Sequence, residues 1–454
     1  MSPRLLITAP ASGGGKTTVS CALLQAFQDR GLTPAAFKCG PDYIDPMFHS
    51  RIIGAKSRNL DLFFLGPEGT RAVLAENSQA AGVSLIEGVM GYYDGIGVSW
   101  KASAYEVSKV TRTPAVLVVD GRGRSLSIAA EAAGFREFRP DCTLRGVIFN
   151  RISPMLYPRL KEAVEGYAGV KVYGYLPVIE DCALESRHLG LVTADEVADL
   201  KSKLSALARQ AEKTVDIDGL LNLAQTAPEL EAPPEIRGPV TGQRPRIAVA
   251  QDKAFCFYYQ DALALLERLG AELVPFSPLS DTALPEGTQG LYLGGGYPEL
   301  CGRELSANAA MRGAVKAAVE SGMPTVAECG GFLYLHERLQ DAEGRDWPMV
   351  GVFPERAWNS GKLSRFGYVT LTAAEDGLLC KAGERIPAHE FHYWESARPG
   401  DAFSAQKPQS SRGWACGFHT PTLYAGFPHF HFRGCPQAAE RFVSACGAYS
   451  HSSI

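Results

Sequence analysis

Apolar runs and amphipathic segments alternate twice along this chain, on either side of a polar tract punctuated by proline. In the first half, positions 5–9, 83–86, 115–120, 145–150 and 170–176 are short runs rich in β-branched residues. Such runs fit strands buried on both faces. Val19, Ala22, Leu23, Ala26 and Phe27 recur at three- and four-residue spacing, and Gly31 follows as a stop signal. That spacing predicts an amphipathic helix after the first strand. Strands alternating with helices predict a parallel sheet covered on both sides.

A second alternation starts at 246. Strands are expected at 246–250, 271–276, 290–293 and 324–327, and helices at 259–269 and 304–321. From position 350 onward the pattern turns to short β runs with many aromatics. Pro228, Pro233, Pro234, Pro239 and Pro245 mark the tract between the two alternations. Proline cannot donate to a ladder and restricts its predecessor, so a linker is expected there. The predicted plan is an α/β domain over 1–225, a linker over 226–245, a second α/β domain over 246–440, and a C-terminal tail over 441–454.

The length of 454 residues is compatible with two or three domains. Lys plus Arg number 45 against 49 Asp plus Glu, which argues against a non-specific nucleic-acid binder. Hydrophobic residues at 46% and charged residues at 21% exclude global disorder. No apolar run approaches the ~18 residues of a bilayer span. The run 5–7 is too short for a signal-peptide core, so a soluble, cytoplasmic protein with no membrane partner is expected. The 11 cysteines are scattered, and no pair has a two-residue gap of the zinc or redox kind. Most are read as small buried hydrophobes.

Ala9-Pro10-Ala11-Ser12-Gly13-Gly14-Gly15-Lys16-Thr17-Thr18 follows a strand and opens a helix. Glycines let backbone N–H groups close around phosphates, and a helix N-terminus favours negative charge. Gly13, Gly14, Gly15, Lys16, Thr17 and Thr18 are therefore candidate nucleotide-binding residues. Lys16 would reach the β- and γ-phosphates, and Thr17 would bind Mg²⁺. Pro10 stands where the usual loop has its first glycine, making this a variant P-loop. Glu87 leaves a buried strand into a Gly-rich loop holding Asp94, and suits a Mg²⁺ ligand or a group that orients substrate. Asp42 and Asp45 lie beside a turn after another short run. Asp120 ends an apolar strand and is a weaker candidate.

In the second half, Pro324-Thr325-Val326-Ala327-Glu328-Cys329-Gly330-Gly331 runs from strand through cysteine into a helical pattern. This is a nucleophile-elbow arrangement. The helix N-terminus that follows is expected to lower the Cys329 thiol pKa. The Gly330 N–H would face a developing oxyanion, with a second donor from the 293–297 loop, at Gly295. A base is needed. In Phe427-Pro428-His429-Phe430-His431-Phe432, alternation predicts that both histidines project from one strand face. Spacing leaves open whether His429 or His431 is the base. A usual triad places an acid two positions after its histidine. His431 and Arg433 occupy those positions, so a Cys–His dyad is expected. His389-Glu390-Phe391-His392 reads as a polar loop segment facing substrate.

These residues together resemble the cobyrinic acid a,c-diamide synthase family of corrin biosynthesis, which includes the hydrogenobyrinic acid enzymes. The resemblance spans nearly the whole chain. Its carriers are the loop at 9–18, Gly-Pro-Asp-Tyr-Ile-Asp-Pro at 40–46, Arg-Asn-Leu-Asp at 58–61 and Glu-Gly-Val-Met-Gly-Tyr-Tyr-Asp-Gly at 87–95. Further carriers are Gly-Gly-Gly-Tyr-Pro-Glu at 294–299, Ala-Glu-Cys-Gly-Gly at 327–331 and His-Glu-Phe-His-Tyr at 389–393. It implies a P-loop parallel-sheet synthetase domain, similar to dethiobiotin synthetase, followed by a class I glutamine amidotransferase α/β domain. It maps the nucleophile to Cys329, the phosphate lysine to Lys16, and functional synthetase acids to Asp45, Glu87 and Asp94. It also implies ATP, Mg²⁺, L-glutamine and a corrin carboxylate substrate. The expected reaction is amidation of the a- and c-side chains through an acyl phosphate, with ammonia from a Cys-dependent glutaminase. Cobyric acid synthase, a nickel-sirohydrochlorin amidase, and a P-loop regulatory ATPase with an inactive amidotransferase-like domain are the competing readings. A homodimer is compatible with the sequence, which does not set the oligomeric state.

Overall fold

The computed structural model describes residues 3–179, 194–231 and 244–450. The chain forms two compact units, Met1–Pro234 and Glu235–Ile454.

In the first unit seven strands make one sheet: β1 (Arg4–Thr8), β2 (Pro34–Cys39), β3 (Lys56–Leu60), β4 (Val83–Glu87), β5 (Ala115–Asp120), β6 (Leu144–Asn150) and β7 (Lys171–Leu176). Their order is β3-β2-β4-β1-β5-β6-β7, and every pairing is parallel. Burial of nearly every residue of β1, β4 and β5 is what a sheet covered on both faces requires. The helix predicted from the 19–27 spacing is Lys16–Asp29, and its Val19, Ala22, Leu23, Ala26 and Phe27 are buried. They share a core with Leu204, Leu207, Ala208 and Ala211 of the helix Ala194–Thr214. Because all strands run the same way, Thr8, Cys39, Glu87, Asp120 and Asn150 end on one edge of the sheet, where α/β folds place ligands.

The linker expected over 226–245 begins too early. Ala227 is buried, Arg4 donates to the Pro228 carbonyl at 2.7 Å, and Arg112 donates to the Glu229 carbonyl at 2.7 Å. Those hydrogen bonds tie the segment to the first unit. The remainder, 232–243, lies outside the described residues.

The second unit has a six-stranded sheet built on β8 (Arg246–Ala250), with β9 (Phe255–Phe257) just after it in the chain. Next come β10 (Glu272–Phe276), β11 (Thr288–Leu293), β12 (Gly295–Gly296) and β13 (Thr325–Glu328). The sheet order is β10-β8-β11-β13, then Leu423–Gly426 and Phe418–His419. The strands from β10 to Leu423–Gly426 are parallel. β12 pairs antiparallel with β9 outside this sheet. A five-stranded antiparallel sheet follows from the β-rich C-terminal region.

Three expectations are corrected here. The helix expected over 304–321 is two helices, Gly302–Ala307 and Ala309–Glu320. Asn308 leaves helical geometry at φ −83°, ψ 66°. Its side chain accepts from Met311 N at 3.3 Å and donates to the Pro278 and Asp281 carbonyls. Side-chain capping of this kind competes with helix continuation. The segment 389–392 is no loop; it belongs to the strand Arg385–His392. The tail expected from 441 is instead part of the helix Pro436–Ala448, whose Phe442, Val443 and Cys446 are buried.

Candidate active sites

At the sheet edge of the first unit, Gly13 and Gly15 take positive φ values of 77° and 94° in the loop between β1 and its helix. A Cβ on Gly15 would stand 1.9 Å from the Asn150 amide nitrogen, so only glycine permits this approach. Asn150 donates to the Gly14 carbonyl at 3.1 Å, and Arg151 to the Gly13 carbonyl at 2.7 Å. Thr18 is half-buried in the first turn of the helix. Lys16 donates to the carbonyls of Ala11, at 3.1 Å, and Met90. Burial, then the neighbouring Lys38, lowers the Lys16 ammonium to about 8, against the pull of Glu87, Asp45 and Asp94.

Glu87 is the centre of this site. Its Oε1 accepts from Thr17 Oγ1 at 2.7 Å and from Lys38 Nζ at 2.8 Å. Its Oε2 lies 3.3 Å from His49 Nε2. Lys38 also pairs with Asp45 at 2.5 Å. Burial alone would push the Glu87 carboxyl up, but Lys38 and His49 outweigh it and hold it well below the usual range. Asp45 goes the other way: burial and then the Glu87 charge push it well above. Lys38 stays charged because Glu87, Asp45 and Asp42 overcome its own burial.

The structure thus gathers Lys16, Thr17, Asp45 and Glu87. Asp42 instead turns back on its own backbone, accepting from Ile44 N at 2.8 Å. Asp94 is exposed and accepts from Gly91 N at 2.9 Å. Asp120 is paired with Arg122 and Arg151, at 2.9 and 3.0 Å. Lys38 and His49 join this cluster without a local sequence signal. Lys38 sits on β2, in register with Glu87 on β4. His49 opens a π-helical turn, His49–Ile53, a local irregularity that no periodicity signals.

The Thr17 hydroxyl and Glu87 carboxylate are hard oxygen donors, and Glu87 Oε2 makes no hydrogen bond. They fit a divalent cation of the Mg²⁺ type. Among the described residues no cluster of three or more His, Cys, Asp or Glu forms a cage. Mg²⁺ takes few protein ligands when phosphates and water supply the rest.

Lys38→Met is expected to destabilise the protein by about 3–5 kcal/mol, because it strands the buried Glu87 carboxylate, and half-buried Asp45 beside it, without their cation. Lys38 has a raised folded pKa, so its contribution is present below the unfolded value of about 10.4. Glu87 has a depressed one, so its contribution is present above about 4.3 and fades as pH falls through the folded value. Without Lys38, protonation of Glu87 relieves the loss. The drop in Tm should therefore be larger at pH 8 than at pH 5, and an equal drop at both would refute the charge argument.

In the second unit Cys329 sits at φ 45°, ψ −97°, between β13 and the short helix Gly330–Tyr334. That is the strained turn expected of an elbow. Cys329 N donates to the Gly426 carbonyl at 2.7 Å, and Leu333 N to the Cys329 carbonyl at 2.8 Å. A Cβ on Gly331 would come within 2.1 Å of the Leu293 carbonyl, and one on Gly330 within 2.9 Å of Gly296 N. The Gly-rich loop after β11 therefore lies against the elbow. A Cβ on Gly295 would meet His429 Cε1 at 2.4 Å. Gly330, next after Cys329, and the His429 ring thus both pack against this Gly-rich loop.

The two histidines part company, against expectation. His429 belongs to a two-residue strand, His429–Phe430, paired with Ala388 and His389. His431 lies beyond the strand; it accepts from Arg433 N at 3.2 Å and stacks on Tyr259. His429 is thus the one packed against the Gly-rich loop that borders the elbow. Its Nδ1 lies 3.3 Å from Glu328 Oε2. Burial pushes His429 down to about 4, so the ring is neutral at pH 7.

The expected lowering of the Cys329 thiol is overturned. Burial pushes it up, followed by the charges of Glu299, Glu328 and Glu390; only the Gly330 amide opposes them. A five-residue helix cannot offset a buried sulfur among three carboxyls. Burial also raises Glu299 and Glu390 to about 7 and Glu328 to about 8. The Cys329 thiol and the His429 imidazole are thus both held in their neutral forms. The ten described cysteines are all free.

Comparison with known proteins fits both halves. Residues 5–192 match the CobQ/CobB/MinD/ParA nucleotide binding domain, and residues 246–436 match the CobB/CobQ-like glutamine amidotransferase domain. The chain is 39% identical over 448 residues to a cobyrinate a,c-diamide synthase of Caldanaerobacter subterraneus, covering 98% of each. It is 41% identical over 438 residues to one of Listeria monocytogenes, covering 94% of this chain and 96% of that one. It is 40% identical over 447 residues to one of Salmonella typhimurium, covering 97% of each.

Proposed function

This chain belongs to the cobyrinate a,c-diamide synthase family, and on that premise we propose that it amidates the a- and c-side-chain carboxylates of cobyrinic or hydrogenobyrinic acid. It is a glutamine amidotransferase of the ligase type in cobalamin biosynthesis, with a nucleotide-binding P-loop domain. The observation that carries the detailed reading is two reactive clusters in one chain. One is Lys16, Thr17, Lys38 and Glu87; the other is Cys329 with His429 and the Gly295 and Gly330 amides.

A carboxylate resists attack by ammonia because its oxygen is a poor leaving group. ATP primes it as an acyl phosphate, and ammonia then displaces phosphate. Lys16 would stabilise charge on the transferring phosphoryl group, which is where phosphoryl transfer gains most. Thr17 and Glu87 would hold Mg²⁺, which when bound neutralises phosphate charge. Lys38, Asp45 and Asp94 would set the field around the transferring group and the substrate acid. Asp42 would hold the turn that presents Asp45.

Ammonia comes from glutamine. As the Cys329 sulfur attacks the side-chain amide carbon, its proton passes to His429. The Gly330 and Gly295 amides would hold the oxyanion. His429 returns the proton to the leaving nitrogen, which departs as NH₃, and water then hydrolyses the γ-glutamyl thioester. No helix among the described residues is long and apolar enough to cross a membrane. Use of ATP by a reduced thiol enzyme fits a cytoplasmic setting.

Purified protein supplied with ATP, Mg²⁺, glutamine and either acid tests the proposal by mass spectrometry. The expected product carries two amides, formed stepwise with ATP consumed for each. A product with one or four amides, or turnover only on another tetrapyrrole, would reassign the substrate. The acid that reacts faster identifies the cobalt-containing or metal-free corrin as substrate.

A further inference from the structure

The expected dyad lacks an acid after its histidine, yet a buried carboxyl meets His429 from another direction. Glu328 is the last residue of β13, immediately before the nucleophile, and is almost fully buried. Its Oε2 lies 3.3 Å from His429 Nδ1, and its Oε1 lies 3.4 Å from the Tyr292 hydroxyl. Tyr292 is itself buried on β11, so the carboxyl is anchored from the far side. The position that holds the acid in a usual triad is taken by His431, which caps the turn Phe432–Gly434 and stacks on Tyr259.

We propose that Glu328 is the positioning residue for His429: it accepts a hydrogen bond from Nδ1–H, fixes the ring's tautomer, and so assigns proton transfer to Nε2. The third member of the constellation thereby comes from the nucleophile's own strand. The geometry supports this from two sides of the ring. Nδ1 is held by Glu328, while Cε1 rests against Gly295 of the loop beside the elbow. With Nδ1 protonated, Nε2 can take the thiol proton as sulfur attacks and return it to the departing nitrogen. The opposite tautomer would place the lone pair on Nδ1, toward Glu328, where no substrate atom needs it. A glutamine carbonyl of the same shape can accept the same bond from Nδ1–H. That separates Glu328 from an acid needed for its charge.

The inference rests on Cys329 as nucleophile and His429 as base, and its test is read on the full chain. Glutamine-driven and ammonia-driven amidation are measured for Glu328→Ala, Glu328→Gln and His429→Asn. Glu328→Ala should lose about 100-fold in kcat with glutamine while its KM for glutamine stays within about threefold. Glu328→Gln, whose carbonyl accepts the same bond, should stay within about tenfold of the parent. Ammonia-driven rates should hold in both. An unchanged kcat in Glu328→Ala overturns the proposal. So does a glutamine rate in Glu328→Gln as low as in Glu328→Ala with ammonia rates intact. If His429→Asn keeps its glutamine rate, the base assignment itself fails; if His429→Asn is inactive and Glu328→Ala is not, only the positioning role fails. A second measurement reads the tautomer directly, with ¹⁵N-histidine in the parent chain. The imidazole signal that disappears in His429→Asn should be the Nδ1–H tautomer, and an Nε2–H tautomer there overturns the assignment.

Discussion

Cys329→Ser should abolish glutamine-driven amidation, by at least about 10⁴-fold in kcat, while ammonia still supports the reaction at high pH. The size follows from the state of the resting site. The thiol is not ionised in advance, since burial and three nearby carboxyls push it up. Attack therefore depends on His429 taking the proton as the sulfur–carbon bond forms. A hydroxyl holds its proton far more tightly than a thiol and makes a poorer nucleophile for this amide carbon. The imidazole, neutral above about pH 4, is too weak a base to compensate. The substitution changes one buried atom and leaves the backbone bonds to Gly426 and Leu333 in place, so the fold should survive. Ammonia-driven synthesis uses the other cluster and bypasses the sulfur. Retained glutamine use in Cys329→Ser would remove Cys329 from its role. Loss of both nitrogen sources would indicate damage beyond the elbow. ATP turnover with no glutaminase activity in the parent would favour a regulatory ATPase with an inactive second domain.

Elements whose signal is local were legible in the sequence. The helix at Lys16–Asp29 follows from apolar spacing, and the elbow at Cys329 from small residues at a strand–helix switch. What stayed hidden depends on tertiary register. Lys38 lies beside Glu87 because β2 pairs with β4, a pairing of residues 49 apart in sequence. His49 reaches the same carboxylate through a π-helical turn that has no pattern. The identity of the base was undecidable from alternation, because the strand carrying His429 stops after two residues and His431 falls beyond it. Glu328 is visible as a letter beside Cys329, yet its partner is 101 residues away. The state of the thiol is hidden for a related reason. A helix terminus can be read from sequence, whereas Glu299 and Glu390 approach Cys329 only in the folded unit.

Lys16→Ala should remove amidation with both nitrogen sources, by at least about 10²–10³-fold, because it acts before either can be used. Lys16 bonds the Ala11 and Met90 carbonyls, and its ammonium feels Glu87, Asp45 and Asp94 on one side and Lys38 on the other. Alanine leaves the phosphate loop intact but takes away the one cation that the loop itself supplies. Lys38 cannot stand in for it, since its charge is committed to Glu87 and Asp45 at 2.8 and 2.5 Å. The pH dependence gives a second reading of the same residue. Burial and Lys38 lower Lys16 to about 8, so its charge is present at pH 7 and lost as pH rises through that value. Bound triphosphate favours the charged form, so nucleotide binding should take up a proton on the alkaline side. The KM for ATP in the parent should then rise above about pH 8, and in Lys16→Ala it should be high and flat across the same range. Ammonia-driven activity surviving in Lys16→Ala would exclude it from phosphoryl transfer. A parent KM that ignores pH between 7 and 9 would mean that Lys16 stays protonated there, its charge held by the three carboxylates despite burial.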